Sequence, residues 1–285
     1  MAPPPINNAS PAMVVISVLI VVPSIIFIWL ARRKIFTPSV RRIKGIDAID
    51  EAVGRSVEMG RPIFMSTGLT GISPLLLAVM GIMGHVARAA ARFRQQFFVP
   101  QNDVQVMVLI EEHLREIYRD AGRPELFRPE TVQYLSDSQF SYASGYMGMV
   151  HREKAGSCFL FGYFAAESLI LAEAGKQAGA MQVAGTVDYL QIPFFITTTD
   201  YTLIGEEVYA AGAYLSDDPV QKGSIAGQDT AKAVILALLL TGIVWATAGT
   251  IKARLENLET TQIKAYDVPF AQLLHPPSRE NGSGR

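Results

Sequence analysis

Cysteine is nearly missing from this chain of 285 residues. Cys158 stands alone, which excludes an internal disulfide framework and any zinc or iron–sulfur site built on cysteines. Charge is scarce too: 18% of residues are Asp, Glu, Lys or Arg, and they sum to a net −1. No global basic field therefore draws nucleic acid. The four histidines, His85, His113, His151 and His275, never fall at the His-x-x-x-His spacing that lets one helix present two ligands to a metal. What fills the chain instead is apolar, at 49% hydrophobic residues. That excess argues against disorder and against an ordinary, fully soluble enzyme.

The apolar residues concentrate in two charge-free runs. Residues 12–31 include thirteen Val, Ile, Leu or Phe, each worth about −0.3 to −0.6 kcal/mol at the centre of a membrane helix. Residues 233–251 form a less hydrophobic run in which Gly242, Ala246 and Thr250 fall four apart, a face on which another helix can pack closely. Both match the bilayer core in length. Arg32, Arg33, Lys34, Arg41, Arg42 and Lys44 directly follow the first run, and residues 1–11 carry no Lys or Arg. The positive-inside rule then places residues 1–11 outside the cell and residues 32–232 in the cytoplasm, with the first span an uncleaved anchor and, by parity, the tail after the second span outside. The same basic cluster (32–44) is suited to anionic lipid headgroups. It lacks the interleaved aromatics of a nucleic-acid platform. A third uncharged stretch, 62–87, is interrupted by Ser66-Thr-Gly-Leu-Thr-Gly-Ile-Ser-Pro74 and reads as a buried strand, loop and helix rather than a span.

Between the spans, residues 45–216 alternate strand-like and helix-like stretches. Ile46, Ile49, Val53 and Val57 recur at helical spacing. Residues 62–66 are a short apolar run, and Ser73-Pro74 supplies an N-cap and a first-turn proline for a helix to about Arg94. A strand over Phe97-Phe-Val99 and a helix from Val104 to Gly122 come next. After an irregular stretch (123–155), strands are expected over 157–162, 181–186 and 193–197, with helices over about 164–178 and 202–215. Strands so short and apolar, alternating with helices, define a Rossmann-like α/β domain with a mostly parallel sheet covered on both faces. Residues 217–232 read as a linker and 252–285 as a partly disordered tail.

The run Gly45-Ile-Asp-Ala-Ile-Asp-Glu-Ala-Val-Gly-Arg55, with Glu58-Met-Gly-Arg-Pro62, Ala184-Gly-Thr-Val-Asp188, Thr198-Thr-Asp200 and Gly205-Glu-Glu207, resembles an uncharacterised family of prokaryotic membrane-anchored α/β proteins, a domain of unknown function. The resemblance covers about residues 40–250 and implies a prokaryotic, membrane-anchored α/β protein. It carries over no activity and no functional residue.

In an open parallel sheet, ligands bind beyond the carboxyl ends of the strands. On this reading Ser66, Thr67 and Gly68 leave the first strand, Asp103 the second, Asp188 a later one, and Thr199 and Asp200 the last. Glu167 and Glu207 are the carboxylates that flanking helices could deliver to the same edge. Neither the Walker spacing nor Gly-x-Gly-x-x-Gly is present. No catalytic constellation, metal site or cofactor motif emerges. The expectation is a membrane-anchored assembly or scaffold protein without catalytic activity, forming a homo-oligomer or joining other membrane-protein subunits. The alternative is a membrane-tethered small-ligand-binding domain or hydrolase using the strand-end residues.

Overall fold

A computed structural model describes residues 11–33, 44–216 and 219–255. They fall into two compact units: residues 39–222 form one, and residues 1–38 with 223–285 the other. Lys34, Arg41 and Arg42, His275 and the tail from residue 256 lie outside the described residues.

The larger unit is built on six strands: β1 (Ile63–Gly68), β2 (Phe97–Gln101), β3 (Val132–Tyr134), β4 (Ser157–Tyr163), β5 (Met181–Thr186) and β6 (Tyr201–Ile204). All neighbours pair in parallel, in the order β3-β2-β1-β4-β5-β6. A parallel sheet needs cover on both faces, and β1 and β5 are buried at every position, their polar residues Ser66, Thr67, Gln182 and Thr186 included. One face carries α2 (Lys44–Met59), α3 (Pro74–Phe93), α4 (Val104–Asp120) and α8 (Glu206–Leu215) over a core that includes Ile63, Met65, Val99, Phe159 and Val183. The opposite face carries α5 (Gln139–Glu153), α6 (Glu167–Gln177) and α7 (Ile192–Thr198) over Phe64, Cys158, Leu160 and Ala184. Successive strand residues alternate between the two cores, as the two-residue period demands.

Local chemistry sets the helix boundaries. Ser73 caps α3, its hydroxyl accepting from the Leu76 N–H, and Pro74 occupies the first helical position. Asp103 caps α4 by accepting from the Gln105 and Val106 N–H groups. The stretch 62–87 divides into β1, its loop and α3, whose buried side chains place it in the domain core rather than in a membrane.

Four elements depart from the sequence reading. Residues 193–197, expected as a strand, lie in α7, because Pro193 sits in a helical first turn. The last strand is therefore Tyr201–Ile204, expected as the start of a helix. Within the stretch taken as irregular, β3 and α5 form. The α5 face made by Tyr142, Ala143, Tyr146, Met149 and Val150 repeats at helical spacing, but its Ser, Gly and Tyr content masks the apolar signal.

The smaller unit contains α1 (Pro11–Arg32) and most of α9 (Pro219–Leu255). Helix α9 is long and apolar enough to cross a membrane and buries none of its apolar window. Residues 219–232, read from the sequence as part of a linker, lie in the same helix as the apolar run. α1 and α9 meet at glycines four apart: a Cβ at Gly223 would stand 2.9 Å from the Ile28 Cα, and one at Gly227 2.7 Å from the Ser24 Cα. The pair runs antiparallel in backbone contact, through a Gly-x-x-x-Gly step rather than the Gly242/Ala246/Thr250 face.

One packed histidine gives this core a pH dependence. His113 lies against α3 with its Nε2 3.1 Å from the Met80 carbonyl oxygen. Burial lowers its pKa below 6.5, opposed by the Met80 hydrogen bond and by Glu116 and aided by Arg88. The unfolded chain then binds the proton more readily, so stability falls as pH drops from 6.5 through the folded value. Denaturant melts of the wild type and His113→Gln at pH 7.5 and 5.5 check this: the wild type is expected to lose more stability than the variant over that interval.

Candidate functional site

The strand order 3-2-1-4-5-6 reverses between β1 and β4, where crossovers leave in opposite directions and open a crevice at the carboxyl edge. In this protein the crevice is stitched shut by its own backbone. The Leu69 N–H donates to the Tyr163 carbonyl at 2.8 Å. Thr70, itself buried, donates its hydroxyl to the Thr67 carbonyl and accepts from the Tyr163 N–H at 2.7 Å. Two glycines permit this approach. Gly68 has φ +60°, and a Cβ there would lie 2.4 Å from the Tyr163 carbonyl oxygen; at Gly162 (φ +150°) it would lie 2.2 Å from that of Thr67. The ring of Phe164 also lies against Gly68, where a Cβ would stand 2.6 Å from its Cδ1, and packs edge-on against Phe195 at 5.1 Å.

The strand-end residues are spent in the same way. Ser66 Oγ is 2.7 Å from the Tyr142 hydroxyl and accepts from the Gly68 N–H. Tyr142 in turn donates to the Pro100 carbonyl, and burial pushes its pKa up, so the phenol stays neutral. Thr67 donates to Gln101 Oε1 at 2.8 Å. Asp103 is the α4 cap, and Asp188 Oδ1 accepts from the Leu190 N–H at 2.9 Å. These five residues, Ser66, Thr67, Gly68, Asp103 and Asp188, do share the carboxyl edge. Thr199 and Asp200 do not: they precede β6 and lie at the amino edge, because α7 takes the place of the expected strand. Asp200 Oδ2 there accepts from the Gln182 N–H at 2.7 Å, and Thr199 Oγ1 donates to the Phe195 carbonyl.

The edge also holds a buried acid. Glu167 opens α6 fully buried, with its carboxylate accepting from Gln139 Nε2 at 2.6 Å and from the Ala165 N–H at 3.0 and 3.1 Å. Among the described residues no basic side chain pairs with it, and the helix N-terminus supplies the compensating field. Gln139 and Tyr142 come from the stretch whose helix the apolar pattern concealed; the spacing of Tyr142, Tyr146 and Val150 was the available signal. At the carboxyl end of β2, Gln101 Nε2 and Asn102 Oδ1 are buried without a hydrogen-bond partner.

The remaining candidates are local. Cys158 is buried, and burial pushes its thiol up to about 12, so it is no nucleophile at neutral pH. His85 pairs with Asp50 at 2.7 Å on the surface, and Glu207 accepts from the Ile204 N–H. No group of three or more metal-ligating side chains assembles among the described residues. Of the basic cluster, Arg32 and Arg33 end α1, with Arg33 4.4 Å above the Trp29 ring, and Lys44 opens α2.

Fold and edge together define a class: a three-layer α/β domain with the Rossmann strand order whose switch point is closed by its own residues, joined in one chain to a long bare apolar helix. The chain belongs to the family described as a domain of unknown function (DUF6754), whose model matches residues 5–256. No curated protein and no solved structure matches it.

If the edge residues are structural, removing them costs stability. Thr70→Val keeps the shape but leaves the Tyr163 N–H unpaired, and is expected to cost about 1–3 kcal/mol. Asp103→Ala loses a cap worth about 0.5–2 kcal/mol. Denaturant melts of the detergent-solubilised protein check both, and an unchanged Thr70→Val midpoint would contradict the stitched edge.

Proposed function

We propose that the protein is a membrane-anchored α/β assembly module without catalytic activity, a scaffold or subunit of a complex in a prokaryotic cell membrane. The observation that carries this reading is the use of the strand-end polar groups: Ser66, Thr67, Thr70, Asp103 and Asp188 are engaged in the domain's own hydrogen bonds. A side chain committed to a cap or a stitch is not poised to hold a substrate. Both apolar helices are taken as spans, with the larger unit cytoplasmic, because the basic residues cluster after the first run. Arg32, Arg33, Lys34, Arg41, Arg42 and Lys44 then meet anionic lipid headgroups, each contributing about 1 kcal/mol near the surface. The partners are other copies of the chain or other membrane-protein subunits, and not nucleic acid.

A second reading, a small-ligand-binding domain or hydrolase, is favoured by one observation: the carboxyl edge carries the buried Glu167 carboxylate and two unpartnered buried amide atoms, Gln101 Nε2 and Asn102 Oδ1. Native mass spectrometry of the protein released gently from its own membrane separates the two. A defined assembly of several chains without a small-molecule adduct is the expected result. A monomer carrying an adduct that Glu167→Gln abolishes would move the assignment to the ligand-binding reading.

A further inference from the structure

The helix pair of the smaller unit fixes which way α9 faces. Gly223 and Gly227 meet α1 at Ile28 and Ser24, and Ala231, one turn further, is buried as well. The opposite side carries a second line of residues: Ile225, Asp229, Lys232, Leu236, Leu239 and Ile243. At about 100° per residue, they lie roughly 120–200° around the axis from Gly227. Their steps alternate four and three, which is the heptad seam along which two helices pair. The line goes on to Ala246 and Thr250, two members of the small-residue face. Asp229, Lys232, Leu236, Leu239 and Ile243 are exposed.

The same contacts set the height of the charged step. With Ser24 beside Gly227 and Ile28 beside Gly223, the antiparallel register places residues 12–31 of α1 beside 220–239 of α9. Val22, at the middle of the first apolar run, then stands level with Asp229. A bilayer centred on α1 has Trp29, Arg32 and Arg33 at its boundary, where such residues belong. It takes in twenty Val, Ile, Leu or Phe from the two helices. A bilayer centred on residues 233–251 would take in thirteen and leave Val21, Val22, Ile25, Ile26 and Trp29, all exposed, in water. The first placement carries Asp229 and Lys232 into the hydrocarbon. Charges at that depth pair with one another or line a cavity. The seam beyond Leu239 then passes the far boundary, where burying Ile243 against a partner removes it from water.

We propose that α9 pairs in parallel with α9 of a second copy along this seam, about a two-fold axis along the bilayer normal. The proposal rests on the assembly reading, with both helices as spans, and names the surface that serves it. Two copies inserted the same way run parallel. Asp229 of one chain and the partner's Lys232 then differ in height by about 4.5 Å, within reach of a lysine side chain, and the contact is reciprocal. Charge selects the occupant, because a face that carries opposite charges three residues apart is its own complement. One charged step in an apolar seam also fixes the register of the pair.

Cys158 is the one native cysteine and is buried, so a thiol added on α9 reports alone. Oxidation of the full chain in native membranes should cross-link Leu236→Cys, on the seam, into a dimer. Val244→Cys, exposed but off the seam, should stay as single chains. In the Leu236→Cys background, Asp229→Lys should abolish the dimer by setting lysine against lysine. Asp229→Lys combined with Lys232→Asp should restore it, which a chain that merely failed to insert could not do. Failure to cross-link at position 236, a dimer indifferent to Asp229→Lys, or a double variant that stays single would each overturn the proposal. If wild-type chains still sediment as an assembly in detergent, the assembly reading then stands on another surface. Labelling of Asp229→Cys by a membrane-impermeant maleimide in sealed inside-out vesicles would put the charged step in water and overturn the proposal too. A wild type that sediments as one chain, with no protein partner, removes both readings.

Discussion

Every functional statement about this domain depends on how the gap between β1 and β4 is filled. In a parallel sheet of this order the two crossovers diverge, and the carboxyl edge opens where they part. Proteins that bind nucleotides leave that opening to the ligand. Here Thr70 closes it, donating to Thr67 and accepting from Tyr163, while Gly68 and Gly162 remove the side chains that would hold the strands' ends apart. The result is a Rossmann strand order without its customary vacancy, and fold alone then says nothing about a cofactor.

The same economy governs the polar residues around it. A sheet buried on both faces tolerates a polar group where it has a partner. Ser66, Tyr142 and Pro100 form one chain of hydrogen bonds on one face, Thr67 and Gln101 a pair on the other, and Ser56 meets Ser157 further along the strands. Glu167 is the costly member, a carboxylate that no basic side chain pairs among the described residues, held by an amide, a backbone N–H and the start of its own helix. The apolar surface left exposed lies elsewhere, on the β5–β6 crossover, where Tyr189, Leu190, Phe194 and Ile196 face out.

Much of the domain was legible because strand and cap signals are local. The Ser73-Pro74 start of α3, the Asp103 cap of α4 and the apolar run of β5 follow from short-range chemistry and stand where the residues indicate. Elements whose identity depends on tertiary packing were not legible. Pro193-Phe-Phe-Ile-Thr197 has strand composition, yet a helical first turn built around its proline wins. That exchange carried Thr199 and Asp200 from the carboxyl edge to the amino edge. α5 went unseen because its inward face is made of Tyr, Ala and Met rather than Leu and Ile. The expectation of an uncharacterised family is met, since the family model spans residues 5–256.

Amide hydrogen exchange at Leu69 and Tyr163 tests the closed edge most directly, because both N–H groups exist as protected donors through the stitch alone. Protection comparable to that of Phe159 and Val183 in the strand interiors is the predicted result. Exchange at the rate of an open loop would contradict it, and would return the crevice between β1 and β4 to the list of places where a ligand can bind.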